Sequence, residues 1–165
     1  MKRSKRLYAM LGILVVACIA TFAVTQTKEE REQIKATGEI VLQVSSDDVQ
    51  SLSWECGETS LAFHKDETWL YEDEAFPVDE NTIHEMLEQF ESFGVSFVIE
   101  QVTDYGMYGL DDPVCIIHFA TEDQSYEIEL GDFSNMDEER YVSIGDGNVY
   151  LAKVDPLDQF DATLK

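Results

Sequence analysis

An uncharged run of 18 residues, 7–24, constrains this chain more than any other feature of its sequence. Four basic side chains precede it: Lys2, Arg3, Lys5 and Arg6. A helix of this length just spans the hydrocarbon core of a bilayer, and basic flanks stay on the cytoplasmic side. We therefore expect a cytoplasmic flank at residues 1–6, a transmembrane segment at residues 7–24 and all later residues outside the cell membrane.

The apolar run has three interpretations, and all of them place the later residues outside. The first, which we prefer, is a retained signal anchor that crosses the membrane once. In the second, residues 15–18 (VVAC) resemble a bacterial lipobox with Cys18 as the lipidated residue, although residues 19–24 stay apolar where a mature lipoprotein usually begins with polar residues. The third is ordinary signal cleavage near Ala20 or Ala23.

The remainder of the chain is strongly acidic. Residues 36–165 carry 31 carboxylates and four basic side chains, a formal net charge of −27. Such a surface repels phosphate backbones and anionic lipid headgroups, so we expect no nucleic-acid partner and a domain that stands off the bilayer. The chain is nevertheless 44% hydrophobic with 18 aromatic residues, which indicates a packed core. We expect a charged stalk at residues 25–38 and one acidic domain at residues 39–165.

Two cysteines lie in the acidic domain. Cys56 and Cys115 both fall in strand-like segments, and their spacing fits no zinc or redox motif. Outside the cytoplasm a disulfide between them is chemically permitted. The alternative is a pair of small buried thiols that behave as ordinary apolar side chains.

The sequence of the acidic domain predicts many short strands and one main helix. Asp79 is a good N-cap, the apolar stripe from Ile83 to Phe93 has helical spacing, and Gly94 suits the position after a helix, which predicts a helix over 79–93. Asp155-Pro156 predicts a final short helical turn. Nine strands are predicted, at residues 39–44, 49–54, 60–64, 68–71, 95–102, 114–120, 125–130, 141–144 and 149–154.

Short connections favour antiparallel pairing of these strands. The predicted hairpin at residues 145–148 (GDGN) is one such connection. The fold class we expect is therefore α+β: an antiparallel sheet, or two packed sheets of short strands, covered by one main amphipathic helix. An N-terminal membrane segment precedes it.

Several short motifs occur in a fixed order along this domain. They are Trp69, Phe76-Pro77-Val78-Asp79, Val98-Ile99-Glu100, Tyr108-Gly109-Leu110-Asp111-Asp112-Pro113, Leu130-Gly131-Asp132 and Val149-Tyr150-Leu151. This series, over roughly residues 40–160, resembles the bacterial family labelled domain of unknown function 4340. The resemblance implies an envelope-anchored protein, and some members accompany ABC-type transport systems linked to gliding motility. It supplies no catalytic residues. Many members look longer than this chain, which leaves open a fragment or a one-unit version.

Two segments are candidate sites. Oxygen-bearing side chains cluster in residues 131–139, where a loop could hold calcium through Asp132, Asn135, Asp137 and Glu138. The EF-hand spacing is absent there, and a solvated loop is the alternative. The second segment is an aromatic loop that could form a binding surface through Tyr105, Met107, Tyr108 and Leu110, or could fold back to cap the core.

No catalytic motif is present in the sequence. The three histidines, His64, His84 and His118, lack the spacing of a metal triad, and no nucleophile elbow, P-loop or zinc-protease motif occurs. We expect a non-enzymatic, cofactor-free interaction or accessory module of an envelope complex. Its partners would be the membrane and an envelope protein, such as an ABC-type transport component. The alternative is a cation- or substrate-binding accessory domain of such a transport system.

The predicted topology can be tested in cells. Because the basic flank holds residues 1–6 in the cytoplasm, protease added to intact, wall-stripped cells should degrade the acidic domain. Immunoblotting against the C-terminal part follows the loss. A domain that resists protease until the membrane is lysed contradicts this orientation.

Overall fold

Alternating apolar residues build one antiparallel sheet in the computed structural model, which describes residues 33–71 and 76–162. The predicted basic flank, the membrane segment with Cys18 and residues 25–32 of the stalk lie outside the described residues. Within the described residues, no helix is both long enough and apolar enough to cross a bilayer.

The sheet contains eleven strands among the described residues. They are β1 (Gln33–Ala36), β2 (Ile40–Leu42), β3 (Val49–Cys56), β4 (Thr59–Lys65), β5 (Trp69–Tyr71), β6 (Phe76–Pro77), β7 (Phe93–Glu100), β8 (Cys115–Thr121), β9 (Ser125–Ser134), β10 (Glu139–Ser143) and β11 (Val149–Ala152). Their spatial order is β1-β7-β11-β10-β9-β8-β3-β4-β5-β6, and β2 pairs with the beginning of β7. Two 3-10 helices, η1 (Ser46–Asp48) and η2 (Tyr105–Tyr108), and two α-helices, α1 (Glu80–Glu88) and α2 (Leu157–Ala162), complete the fold. The α+β prediction is confirmed, with one sheet rather than two.

The main core lies between the helices and one face of this sheet, which we call the helix face. On β8 the side chains of Cys115, Ile117 and Phe119 point to it and are buried, as period-2 alternation requires. The rings of Phe90 and Phe119 stack at a centroid distance of 4.9 Å, and Phe160 packs edge-on against Trp54 at 5.1 Å. Aromatic contacts therefore join α2 and the turn that follows α1 to the central strands.

Helix α1 begins as predicted and ends early. The Asp79 carboxylate accepts a hydrogen bond from the Asn81 amide, which confirms the N-cap. The helix stops at Glu88 instead of residue 93, and a turn follows over 89–92. Phe93 and Gly94 begin β7 and pair with β2, so Gly94 is not a helix C-cap. Pairing of this backbone with β2 competes with further helix, while Phe90 in the turn still enters the core.

The predicted stalk also needs correction. Residues 33–36, which we placed in the stalk at residues 25–38, form β1 and pair with the end of β7. The backbone amide and carbonyl groups of β7 need partners on both sides, and β1 supplies them on the side away from β11. The local sequence hid this strand because all four residues are solvent-exposed and carry no apolar alternation signal.

The two cysteines of the domain are bonded to each other. Cys56 ends β3 and Cys115 begins β8, and the register places them directly opposite one another. The disulfide joins residues 59 positions apart. A cross-link that closes a loop of this length restricts the unfolded chain, which is typically worth about 2–4 kcal/mol. The disulfide alternative, one of two that the sequence left open, is the one in this structure.

A buried ion pair holds the C-terminal elements. Arg140 Nε lies 2.7 Å from Asp155 Oδ1, and both side chains are almost enclosed. Arg140 also donates to the carbonyl oxygen of Gly131 at 2.7 Å, and Asp155 accepts from the Leu157 amide at the start of α2. The ion pair therefore fixes β9, β10 and α2 relative to one another.

The helix stripe supports a test of the core. Leu87 is 1% exposed in the core cluster, so Leu87→Ala should lower the free energy of unfolding by about 2–5 kcal/mol. Chemical denaturation of the purified chain measures the change. Glu85→Ala, at an exposed position of the same helix, is the control and should change it by about 0.5 kcal/mol or less. Equal effects of the two substitutions would contradict the packing described above.

Candidate functional site

The aromatic loop predicted as a binding surface folds back onto the sheet. Its 3-10 helix η2 is capped at its beginning by Asp104, whose carboxylate accepts from the Gly106 amide, and at its end by Gly109 in the left-handed conformation. Tyr108 and Leu110 are buried and Tyr105 is half-buried, whereas Met107 is 68% exposed. Among the four predicted residues, therefore, one is available to a partner as an exposed side chain.

Two glycines allow this loop to approach β9 closely. A Cβ atom on Gly131 would lie 2.2 Å from the carbonyl oxygen of Tyr108. A Cβ atom on Gly109 would lie 2.6 Å from the Asp132 carboxyl carbon, and Gly109 also has a φ of +67°. Any larger residue forces the two backbones apart at either position. The YGL and LGD motifs of the family resemblance thus meet in space.

The closed loop forms one wall of an apolar groove on the sheet face opposite α1. The groove has a volume of about 220 Å³ and is lined by Ile34, Phe97, Ile99, Tyr108, Tyr141 and Leu151, with Asp137 at its rim. Ile34 lies opposite Ile99, and Leu151 lies between Phe97 and Tyr141, as expected for side chains that share one face of an antiparallel sheet. The rings of Tyr108 and Tyr141 pack at a centroid distance of 5.0 Å.

The predicted calcium ligands do not converge in this structure. Asp132 lies in β9, while Asn135, Asp137 and Glu138 belong to the tight turn between β9 and β10. All four are exposed, and Asp137 Oδ2 accepts a hydrogen bond from Ser134 Oγ at 2.7 Å. Across the described residues, no group of three or more His, Cys, Asp or Glu side chains is placed to hold a metal ion. Calcium binding stays a prediction.

A second polar cluster joins η1 to α1. Ser46 donates through its hydroxyl and its amide to Glu91 Oε1, at 2.5 and 3.0 Å, and its Oγ lies 2.9 Å from His84 Nδ1. These two hydrogen bonds from Ser46 hold the pKa of the Glu91 carboxyl below its usual range. Sequence reasoning missed the cluster because its three residues are far apart and follow no motif.

This cluster is built as a clamp. A catalytic serine gives its proton to a histidine that a carboxylate orients. Here the carboxylate contacts the serine itself, because Glu91 Oε1 accepts from the Ser46 hydroxyl and His84 Nδ1 lies within hydrogen-bond distance of the same Oγ. The three residues therefore tie η1 to α1 and to the turn that follows it.

A second concavity among the described residues is polar. It has a volume of about 550 Å³ and lies between the η1 segment and the β8–β9 turn. Its acidic lining consists of Asp47, Asp48, Glu122 and Asp123. All four side chains are exposed, and they form none of the metal-holding groups defined above.

Comparison with known proteins identifies one family. A family model described as domain of unknown function (DUF4340) matches residues 69–165, more than half of the chain, and confirms the resemblance seen in the sequence. The match begins at β5 and contains both motifs that meet at Gly109 and Gly131. Searches of curated proteins and of solved structures find no match.

The contact between the two motifs can be tested by adding one methyl group. Gly131→Ala places a Cβ against the Tyr108 carbonyl, and we expect it to lower the free energy of unfolding by about 1–3 kcal/mol. Gly38→Ala is the matched control, since a Cβ at Gly38 meets nothing within 4 Å. Urea denaturation compares the two, and a neutral Gly131→Ala would show that η2 is not pressed against β9.

Proposed function

The chain belongs to the family described as a domain of unknown function (DUF4340), and on that premise we propose that it is a non-catalytic module, anchored in the cell membrane by residues 7–24, which docks a partner protein of the envelope. The observation that carries the proposal is the apolar groove. Its apolar lining extends to the sheet edge at Ile34, which is 64% exposed. Apolar surface that stays in contact with water favours a protein partner that covers it.

The location outside the cytoplasm has two supports. The basic flank before residues 7–24 follows the positive-inside rule. The Cys56–Cys115 disulfide belongs to oxidising compartments, because cytosolic thiols are kept reduced. The net charge of −27 in residues 36–165 then keeps the domain away from anionic lipid headgroups and leaves its surface to protein partners.

The alternative, a cation- or substrate-binding accessory domain of an ABC-type transport system, relies on the larger acidic concavity. Its four carboxylates are exposed and spread over two segments, so each keeps its own hydration. Divalent cations bind where several oxygens replace water at once. The apolar groove therefore favours docking of a protein over capture of an ion.

Site-specific photocrosslinking in the native cells tests the docking function. A photoreactive amino acid at position 34 should give, on irradiation of intact cells, a discrete adduct between this chain and a second protein. The same amino acid at position 154 is the control, because Val154 is also 64% exposed but lies outside the groove. Mass spectrometry identifies the adduct. Equal adducts at both positions, or lipid adducts alone at position 34, would refute docking through the groove.

A further inference from the structure

We propose that the groove receives its partner by strand addition: an extended segment with alternating apolar and basic side chains pairs with the edge of β1 that no other strand of the described residues occupies. The inference rests on the proposed docking function and specifies its occupant. Strand addition is a common way for an exposed sheet edge to bind a peptide, with main-chain hydrogen bonds for affinity and side-chain pockets for specificity. The orientation of the β1 amide and carbonyl groups, the side-chain pattern and the charge each support strand addition here.

The register of β1 determines which of its amide and carbonyl groups point away from β7. Ile34 lies opposite Ile99 and Ala36 opposite Phe97, and the Thr37 amide donates to the Ser96 carbonyl at 2.7 Å. Hydrogen-bonded and non-hydrogen-bonded pairs alternate along antiparallel strands. Ile34 and Ala36 are therefore in non-hydrogen-bonded pairs, and their amides and carbonyls point away from β7. Among the described residues no strand lies beyond β1, so these four groups are available for pairing.

The side-chain pattern continues to the same edge. Ile34 is the outermost member of an apolar row that crosses β1, β7 and β11 through Ile99 and Val149. A neighbouring row on the same face runs from Phe97 through Leu151 to Tyr141. An added strand places an apolar side chain beside Ile34 and covers it, which removes apolar area from water. Ile34 combines a side chain in this apolar row with outward backbone groups, so Ile34 sets the register of the added strand.

The opposite edge of the sheet offers no equivalent template. β6 comprises two residues, and one of them is Pro77, which has no amide hydrogen to donate. Such short, proline-containing edges are a usual protection against pairing with other chains. Strand β2 also pairs with β7 alone, and its Ile40 is 54% exposed, but no residue of β2 lines the groove. Within the described residues, β1 is the edge strand that contributes a side chain to the groove.

Charge identifies the class of partner. Asp137 stands at the rim of the groove, Glu100 already pairs with Lys35 on the other face of β1, and the domain as a whole is strongly acidic. A second copy of this chain would bring the same negative charge to the edge and be repelled. A segment rich in lysine or arginine is attracted instead, which raises its association rate and specificity.

Peptide binding to the full chain in phosphatidylcholine nanodiscs tests the inference. The probe is a synthetic peptide that alternates valine with lysine, followed by fluorescence anisotropy. We expect it to bind, to bind more weakly as sodium chloride rises, and to lose about tenfold or more in affinity when alternate backbone amides are methylated. A peptide that alternates valine with glutamate should not bind. Failure of the valine–lysine peptide to bind, or tight binding of its methylated form, overturns strand addition.

Variants of the chain locate the binding edge. Ala36→Pro removes one outward amide and should weaken binding about tenfold, whereas Ala36→Val keeps the amide and should bind within about twofold. Ile34→Ser should weaken binding, and Val154→Ser, at an equally exposed site, should not. Circular dichroism establishes that each variant is folded, and the methylated peptide makes the same backbone test on the unaltered chain. Unchanged binding by Ala36→Pro and Ile34→Ser places the peptide elsewhere and overturns the inference.

The position-34 crosslink separates the two levels of the proposal. If Ala36→Pro removes the adduct in intact cells, strand addition is supported for the native partner. If the adduct persists in Ala36→Pro, the groove still docks a protein and strand addition is wrong. If the adduct is absent from the chain that keeps Ala36, the docking function itself fails.

Discussion

The arrangement of the C-terminal half depends on the interactions of the buried Arg140 guanidinium. In a domain of net charge −27, this cation is nearly enclosed, and an enclosed charge is tolerated only with partners. Asp155 supplies the opposite charge, and the Gly131 carbonyl supplies a further acceptor. Breaking such a pair from one side typically costs about 3–5 kcal/mol, because the remaining charge stays buried. Arg140 thereby fixes the position of Gly131, against which the η2 loop packs.

The two faces of the sheet differ in how completely they are covered, and the η2 loop covers part of the face opposite the helices. On the helix face, Phe90 from the turn after α1 and Phe160 from α2 complete the core with Trp54 and Phe119. On the other face, Tyr108 and its neighbours cover only part of the apolar surface, and Ile34 stays exposed at the edge. The same loop that buries Leu110 therefore leaves a groove, and the proposed docking function follows from that incomplete cover.

The fold was largely predictable, and the site was not. Strand spacing predicted most of the sheet, and the Asp79 cap and the Ile83–Leu87 stripe predicted where α1 begins and which side it buries. The end of α1 was predicted wrongly, because Phe93 and Gly94 pair with β2, and this backbone pairing is non-local in sequence. Strand β1 was missed for the same reason, since its four exposed residues become a strand only beside β7.

The groove and the polar cluster were not predicted, for a related reason. Tyr108 was among the residues that we selected from the sequence, but the groove it lines also needs Ile34, Phe97 and Leu151, which come from strands that are distant in sequence. The Ser46–His84–Glu91 clamp likewise joins residues that share no local pattern. Proximity of this kind arises from strand order, which local periodicity does not encode.

By itself the sequence determined the acidic charge, the alternation that buries one side of each strand, and the start of the main helix, because each depends on neighbouring residues. The family resemblance was also readable from ordered motifs. Only the tertiary structure decided that Cys56 meets Cys115, that Gly131 lies against Tyr108, and that Ile34 ends an apolar row on the outermost strand of the described sheet. These depend on which strands pair and in what register, and that choice is made by the whole core, since a shift of one residue would turn every side chain to the opposite face.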